Sequence, residues 1–184
     1  MHSTRRSLTV AFTGLALLSG TARAQASSLV TDLVKDVSEV EQKMIALAKA
    51  IPADKYGYRP MAGVRSVSDV VMHVASDNYF MPAAAGTPAP EATGIKDDYK
   101  TAAAFEGRKM SPEAAVKEME ASFAFLKKAM METPAARMLA KQKMFGEEYT
   151  GQQVWIMTTT HLHEHLGQLI AYARSNGVVP PWSK

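Results

Sequence analysis

The 184-residue chain contains no cysteine. That excludes disulfides and removes thiolate from the available metal ligands, so any bound metal must sit on nitrogen and oxygen. Histidine is scarce, with five residues in all. An excess of one charge is also missing once the N-terminus is set aside. The sequence has 21 Lys and Arg against 18 Asp and Glu, but Arg5, Arg6 and Arg23 fall in the first 24 residues, which hold no acid. Residues 25–184 therefore carry 18 of each sign. Such a balance gives no electrostatic ground for binding nucleic acid, which needs Lys and Arg clustered on one face. No apolar run reaches the roughly 20 residues of a membrane span, and no repeat or low-complexity tract is present. The twelve methionines are scattered rather than gathered in Met-x-x-Met clusters, which suits core filling better than copper handling.

What is there begins with a leader. Arg5 and Arg6 form a charged start, Leu8 to Leu18 is apolar with small residues, and Ala22-Arg23-Ala24 offers a small-x-small cleavage site before Gln25. This is the pattern of a secretory signal peptide over residues 1–24. Thr4-Arg5-Arg6-Ser7-Leu8 also resembles a twin-arginine signal, so either export route is open and the expected location is periplasmic or secreted. Residues 25–184 then form one domain of a size that supports a single core.

Apolar periodicity predicts four helices in that domain. The first runs from about Leu29 to Ala50, with Leu33, Val37, Val40, Met44 and Leu47 inward and Pro52 beyond its end. The second opens with Ser66 and Asp69 at capping-box spacing and continues through Val67, Val70, Val71, Val74 and Phe80, ending around Pro82. Residues 86–110 read as a long connection, uncommon in a compact domain unless it covers something functional. The third helix starts at Ser111-Pro112-Glu113 and carries Val116, Met119, Phe123, Leu126 and Met130. The fourth begins near Thr150, with Gln153 three residues on, and stops at Asn176-Gly177. The fold class is all-α, a four-helix bundle, up-and-down with a long crossover connection.

Three of the five histidines fall within His161-Leu162-His163-Glu164-His165. On a helix His161 and His165 share one face, while His163 points elsewhere and is assigned to a flank. That face also carries Val154, Thr158, Gln168 or Leu169, and Tyr172, so two imidazoles project where a bundle keeps its core. An unpaired polar group there costs on the order of 1–3 kcal/mol. Either hydroxyls or backbone satisfy them, or a metal ion does, with His73 on the second helix as third ligand. His73 shares its stripe with Val70, Asp77 and Phe80, and Asp77 reads either as an ordinary polar partner, like Glu164, or as the group that holds a ring nitrogen of His73 in one tautomer. The cluster is not the zinc-protease His-Glu-x-x-His signature, because Gly167 stands where the second histidine would be. Trp155, Tyr172 and Trp182 read as core aromatics. Tyr56, Tyr58 and Arg59 either border the site mouth or pack a loop.

Several stretches together resemble the DinB family of metal-binding four-helix bundles: Ile51-Pro52-Ala53-Asp54-Lys55-Tyr56, Tyr58-Arg59-Pro60, Val64-Arg65-Ser66-Val67 through His73-Val74, and His161-x-x-x-His165-Leu166-Gly167-Gln168-Leu169. The last is the most specific, and the likeness covers essentially all of residues 25–184. The resemblance implies metal ligands at His73, His161 and His165, the fold just described, and homodimers as a common state. Relatives include enzymes that use low-molecular-weight thiols, against which the predicted export of this chain counts. The expected function is an exported divalent-metal hydrolase or transferase with an open coordination position and a small-molecule substrate. The rival readings are a non-catalytic metal-binding or stress-response module and a plain bundle whose histidines bond internally. The donor set suits Zn foremost, and also Ni, Fe, Co or Cu.

Overall fold

A computed structural model describes residues 10–183, with side chains from residue 28 onward. Helix α1 runs Val10–Ala50, α2 Val67–Ala84, α3 Tyr99–Glu106, α4 Pro112–Glu132, α5 Ala135–Leu139 and α6 Gly151–Ser175. A hairpin of β1 (Lys141–Met144) and β2 (Glu147–Thr150) precedes α6. Among the described residues no helix is long and apolar enough to cross a membrane.

The four long helices form the bundle, and the caps read in the sequence start three of them. Ser66 and Asp69 close a reciprocal capping box on α2, Thr150 and Gln153 do the same on α6, and Ser111 caps α4 ahead of Pro112. Helix α1 begins well before Leu29. The stretch upstream is rich in Leu and Ala and contains no proline, so no residue there forces the helix to stop. The Arg5-Arg6 start of the predicted leader lies outside the described residues. Helix α2 passes through Pro82 and ends at Ala84, because a proline in the last turn removes a single backbone bond.

Around the bundle α1 packs on α4, α4 on α2, α2 on α6 and α6 on α1, leaving α1 and α2 at opposite corners. Ion pairs Lys49–Glu120 and Lys127–Glu41 show that α4 runs against α1. The loop after α1 turns the chain back, with Ser68 N–H donating to the Tyr56 carbonyl and Val67 N–H to that of Tyr58. Helices α2 and α4 therefore run the same way, and the connection between them must travel the length of the bundle. It is not an irregular loop. It contains a 3-10 turn at Glu91–Thr93 and the whole of α3, which lies along α2.

The core comes from the expected stripes. Val37, Val40, Met44 and Leu47 of α1, and Met119, Phe123, Leu126 and Met130 of α4, are buried, with Leu33 half-buried at the edge. Each such large side chain stabilises by about 1.5–3 kcal/mol through lost apolar exposure. The segment between α4 and α6 holds structure that periodicity did not foretell, because α5 and the two strands are each shorter than one helical or strand period can reveal. Phe145 and Gly146 form the hairpin's two-residue turn at φ 54° and 84°, positive values that the twist of a tight hairpin requires.

Tyr56 ties the first loop to α1, its hydroxyl donating to the Ala48 carbonyl at 2.7 Å. Burial pushes its phenol up from 10.0 to about 12, and the Glu113 carboxylate adds to the rise. A phenol whose folded value exceeds its unfolded one contributes fully below pH 10 and loses that contribution as pH climbs through about 12. Chemical denaturation across pH 9–12 should show stability falling through this window. Tyr56→Phe should flatten the fall by about 2 kcal/mol, and an unchanged slope would exclude Tyr56 as its source.

A candidate metal centre between α2, α3 and α6

The α2 capping box fixes the helical phase, so His73, Asp77 and Phe80 follow one another along one face. The α6 box does the same for His161 and His165. Helix α3 is capped by Asp98, whose carboxylate accepts from Lys100 N–H. It is held against α2 by Ser76, whose hydroxyl donates to the Ala102 carbonyl at 2.9 Å. One turn further along, Glu106 comes opposite His73.

The structure brings His73, His161 and His165 together, with one ligand nitrogen from each lying within 4.8 Å of the others, a group that could hold a metal ion. Their rings stand edge to face, with centroids 4.3–5.3 Å apart. Nε2 of His161 and Nε2 of His165 are 3.1 Å apart. His73 and His165 are buried, whereas the His161 side chain is 32 % exposed, so the cluster is open on one flank.

Each buried imidazole is oriented from behind. Nδ1 of His73 lies 2.9 Å from Glu106, and Nδ1 of His165 lies 2.8 Å from the Gln168 carbonyl oxygen. Both partners accept, which places the proton on Nδ1 and leaves Nε2 free to bind a metal. Glu106 is held in turn by Arg65, whose Nε donates at 2.7 Å. Gln168 donates onward to the Tyr172 hydroxyl, whose ring meets Tyr58 edge to face. Burial lowers the His165 imidazole to about 4, the neighbouring His161 and His73 reinforce this, and the Gln168 bond partly opposes it. It is neutral near pH 7, the form a ligand needs. Burial alone would raise Glu106, but hydrogen bonds from His73 and Arg65 outweigh it and bring the carboxyl down to about 2.

Glu106 takes the orienting role behind His73 that is one of the two sequence readings of Asp77. Asp77 does not stand behind His73 but on its Nε2 side, with Oδ2 at 3.3 Å from His73 Nε2 and 2.8 Å from His161 Nε2. Sequence reading missed Glu106 and Arg65. The Asp98 cap and the apolar pair Ala102 and Phe105 were a signal for α3, but eight residues are too few to stand out as periodic. His163 points away from the cluster and meets Asp36 at 2.9 Å near the surface. Trp155 is core, Trp182 is exposed, and Tyr172 belongs to the support chain of His165. Tyr58 reaches that chain, whereas Arg59 pairs with Asp69 and Tyr56 packs against α1.

A family model described as the DinB superfamily matches residues 37–169. No curated protein matches the chain. Among solved structures, the chain is similar to a DinB-like protein of Bacillus subtilis at 18 % identity, with a TM-score of 0.61 over 80 % of this chain and 93 % of that one. It is also similar to a DinB-like protein of Bacillus cereus at 12 % identity, with a TM-score of 0.62 over 81 % and 93 %. At these identities the likeness speaks for the fold alone.

Proposed function

The chain belongs to the DinB superfamily, and from that premise we propose that it is an exported metal-dependent hydrolase or transferase acting on a small molecule at His73, His161 and His165. The observation that carries this reading is the asymmetry of the cluster: two imidazoles sealed and braced, the third exposed at an open flank. A purely structural metal site is normally closed by protein on all sides, whereas a catalytic one keeps an approach. When bound, a divalent ion supplies a Lewis acid at neutral pH. The chain's own residues do the rest. Glu106 and Gln168 fix the rings of His73 and His165, and both of those histidines are buried away from water.

Phe80, one helical turn beyond Asp77, lines a cavity of about 270 Å³ with Tyr99, Met144, Phe145, Asp97 and Asp98. That is near the lower end for small-molecule sites. Its lining mixes aromatic Phe80, Tyr99 and Phe145 with charged Asp97, Asp98 and Lys143, and includes none of the three histidines. Zinc is the metal first expected, with Ni, Fe, Co and Cu compatible with the donors. The charged, apolar and small-residue pattern of residues 1–24 supports export.

The test is elemental analysis of protein purified from its native compartment, followed by turnover of ester, amide and thiol-conjugate panels. About one divalent ion per chain and activity lost to chelator and restored by metal are expected. Metal-free protein from that compartment, or metal-loaded protein inert on every class, would count against the proposal.

A further inference from the structure

We propose that Asp77 is a fourth ligand in this centre, making the donor set three imidazoles and one carboxylate on a five- or six-coordinate ion that still keeps a position open. The inference rests on the metal reading of the same histidines and goes beyond it. Among the described residues the Asp77 carboxylate makes no ion pair with Lys or Arg. Its recorded partners are Nε2 of His73 at 3.3 Å and Nε2 of His161 at 2.8 Å, in a setting where the carboxylate is only 14 % exposed. Arg65, the nearest guanidinium in this network, is occupied by Glu106.

Proton counting shows why this arrangement asks for a cation. His73 donates from Nδ1 to Glu106, so its Nε2 carries a lone pair, and that lone pair faces an Asp77 oxygen that also only accepts. His165 donates from Nδ1 to Gln168, so its Nε2 likewise presents a lone pair, 3.1 Å from His161 Nε2. His161 can offer a single proton from Nε2, either to Asp77 or to His165. With all three imidazoles neutral, the form that a metal requires, three acceptors crowd one small volume with one donor among them. Buried acceptors without donors are costly, and one positive ion reached by all four atoms relieves every conflict at once. The separations agree. Ligand atoms with bonds of about 2.1 Å lie roughly 3 Å apart across the right angle of a six-coordinate ion and about 3.4 Å apart on a tetrahedral one, and the edges here are 2.8, 3.1 and 3.3 Å.

The test compares the full chain with Asp77→Asn, Asp77→Ala and Glu106→Gln, each stripped of metal and titrated with Co²⁺ against a chelator of known affinity. Visible absorption of the Co²⁺ form reports the donor set directly. If Asp77 ligates, both Asp77 variants shift the Co²⁺ bands and weaken binding by roughly 100-fold or more. Glu106→Gln, which still accepts from His73, weakens binding by about 10-fold or less, the low end for an outer partner, and leaves the bands in place. Circular dichroism of the metal-free Asp77 variants should match the parent, since removing a crowded acceptor leaves no donor stranded. Asp77 variants with the parent's Co²⁺ spectrum overturn the assignment whatever their affinity. Failure of the parent chain to bind Co²⁺ or Zn²⁺ overturns the metal reading itself, so the two failures are told apart.

Discussion

Replacing His161 and His165 together by alanine should abolish both metal binding and the protein's thermal response to a chelator. An ion present at 100 times its dissociation constant stabilises the folded state by about 2.7 kcal/mol. For a domain of this length that shift moves the melting temperature by roughly 5–10 °C. The parent chain should therefore melt lower with chelator than with Zn²⁺, and the double variant should melt at one temperature in both. Loss of affinity should be at least about 1,000-fold, since two of the nitrogens within 4.8 Å are gone. His163→Ala is the control. Its ring meets Asp36 at the surface, so the chelator response should persist undiminished. Scanning calorimetry with and without chelator decides the matter. A double variant that keeps the parent's response would place the ion elsewhere.

That control also marks how much of the site was legible in the sequence. Spacing alone separated His163 from its neighbours, because a helix turns residues two apart onto different faces. The caps at Ser66, Ser111 and Thr150 were legible for a similar reason, each being a short-range signal complete within four residues. What spacing could not supply was depth and direction. Asp77 lies on the right stripe, yet which ring nitrogen of His73 faces it depends on Glu106 of α3 taking the other. Glu106 depends on more still. It meets His73 only because the crossover from α2 to α4 folds back as α3 along α2, a contact across 33 residues of chain. The hairpin was invisible for the opposite reason: its strands are four residues long, and Phe145 occupies a turn position where Asn, Asp or Gly would have announced it.

Glu106→Ala is accordingly the single substitution outside the histidines expected to harm the site most. It strands two groups at once, the Nδ1–H of His73 and the guanidinium of Arg65. A fully buried pair broken in this way costs about 3–5 kcal/mol. Here the Arg65 side chain is 36 % exposed and that of Glu106 21 %, so water recovers part of the loss and about 1–3 kcal/mol is expected. Freed of its brace, the His73 ring can rotate or carry its proton on Nε2, and metal affinity should fall by about 10- to 100-fold. Glu106→Gln separates the two effects, since its amide oxygen can still accept from His73 while the charge facing Arg65 is gone. The Gln variant should therefore hold metal better than the Ala variant and lose less stability. Acid should reproduce part of the Ala phenotype. The Glu106 carboxyl sits at about 2 in the folded chain against 4.5 when free, so its contribution is present above pH 4.5 and lost as pH falls through about 2. In urea melts of the metal-free parent between pH 5 and pH 2 that loss should appear as a falling midpoint, and Glu106→Ala should fall less steeply. Equal slopes for the two proteins, or an alanine variant that binds Zn²⁺ as tightly as the parent, would show that the His73 ring is held by something other than Glu106.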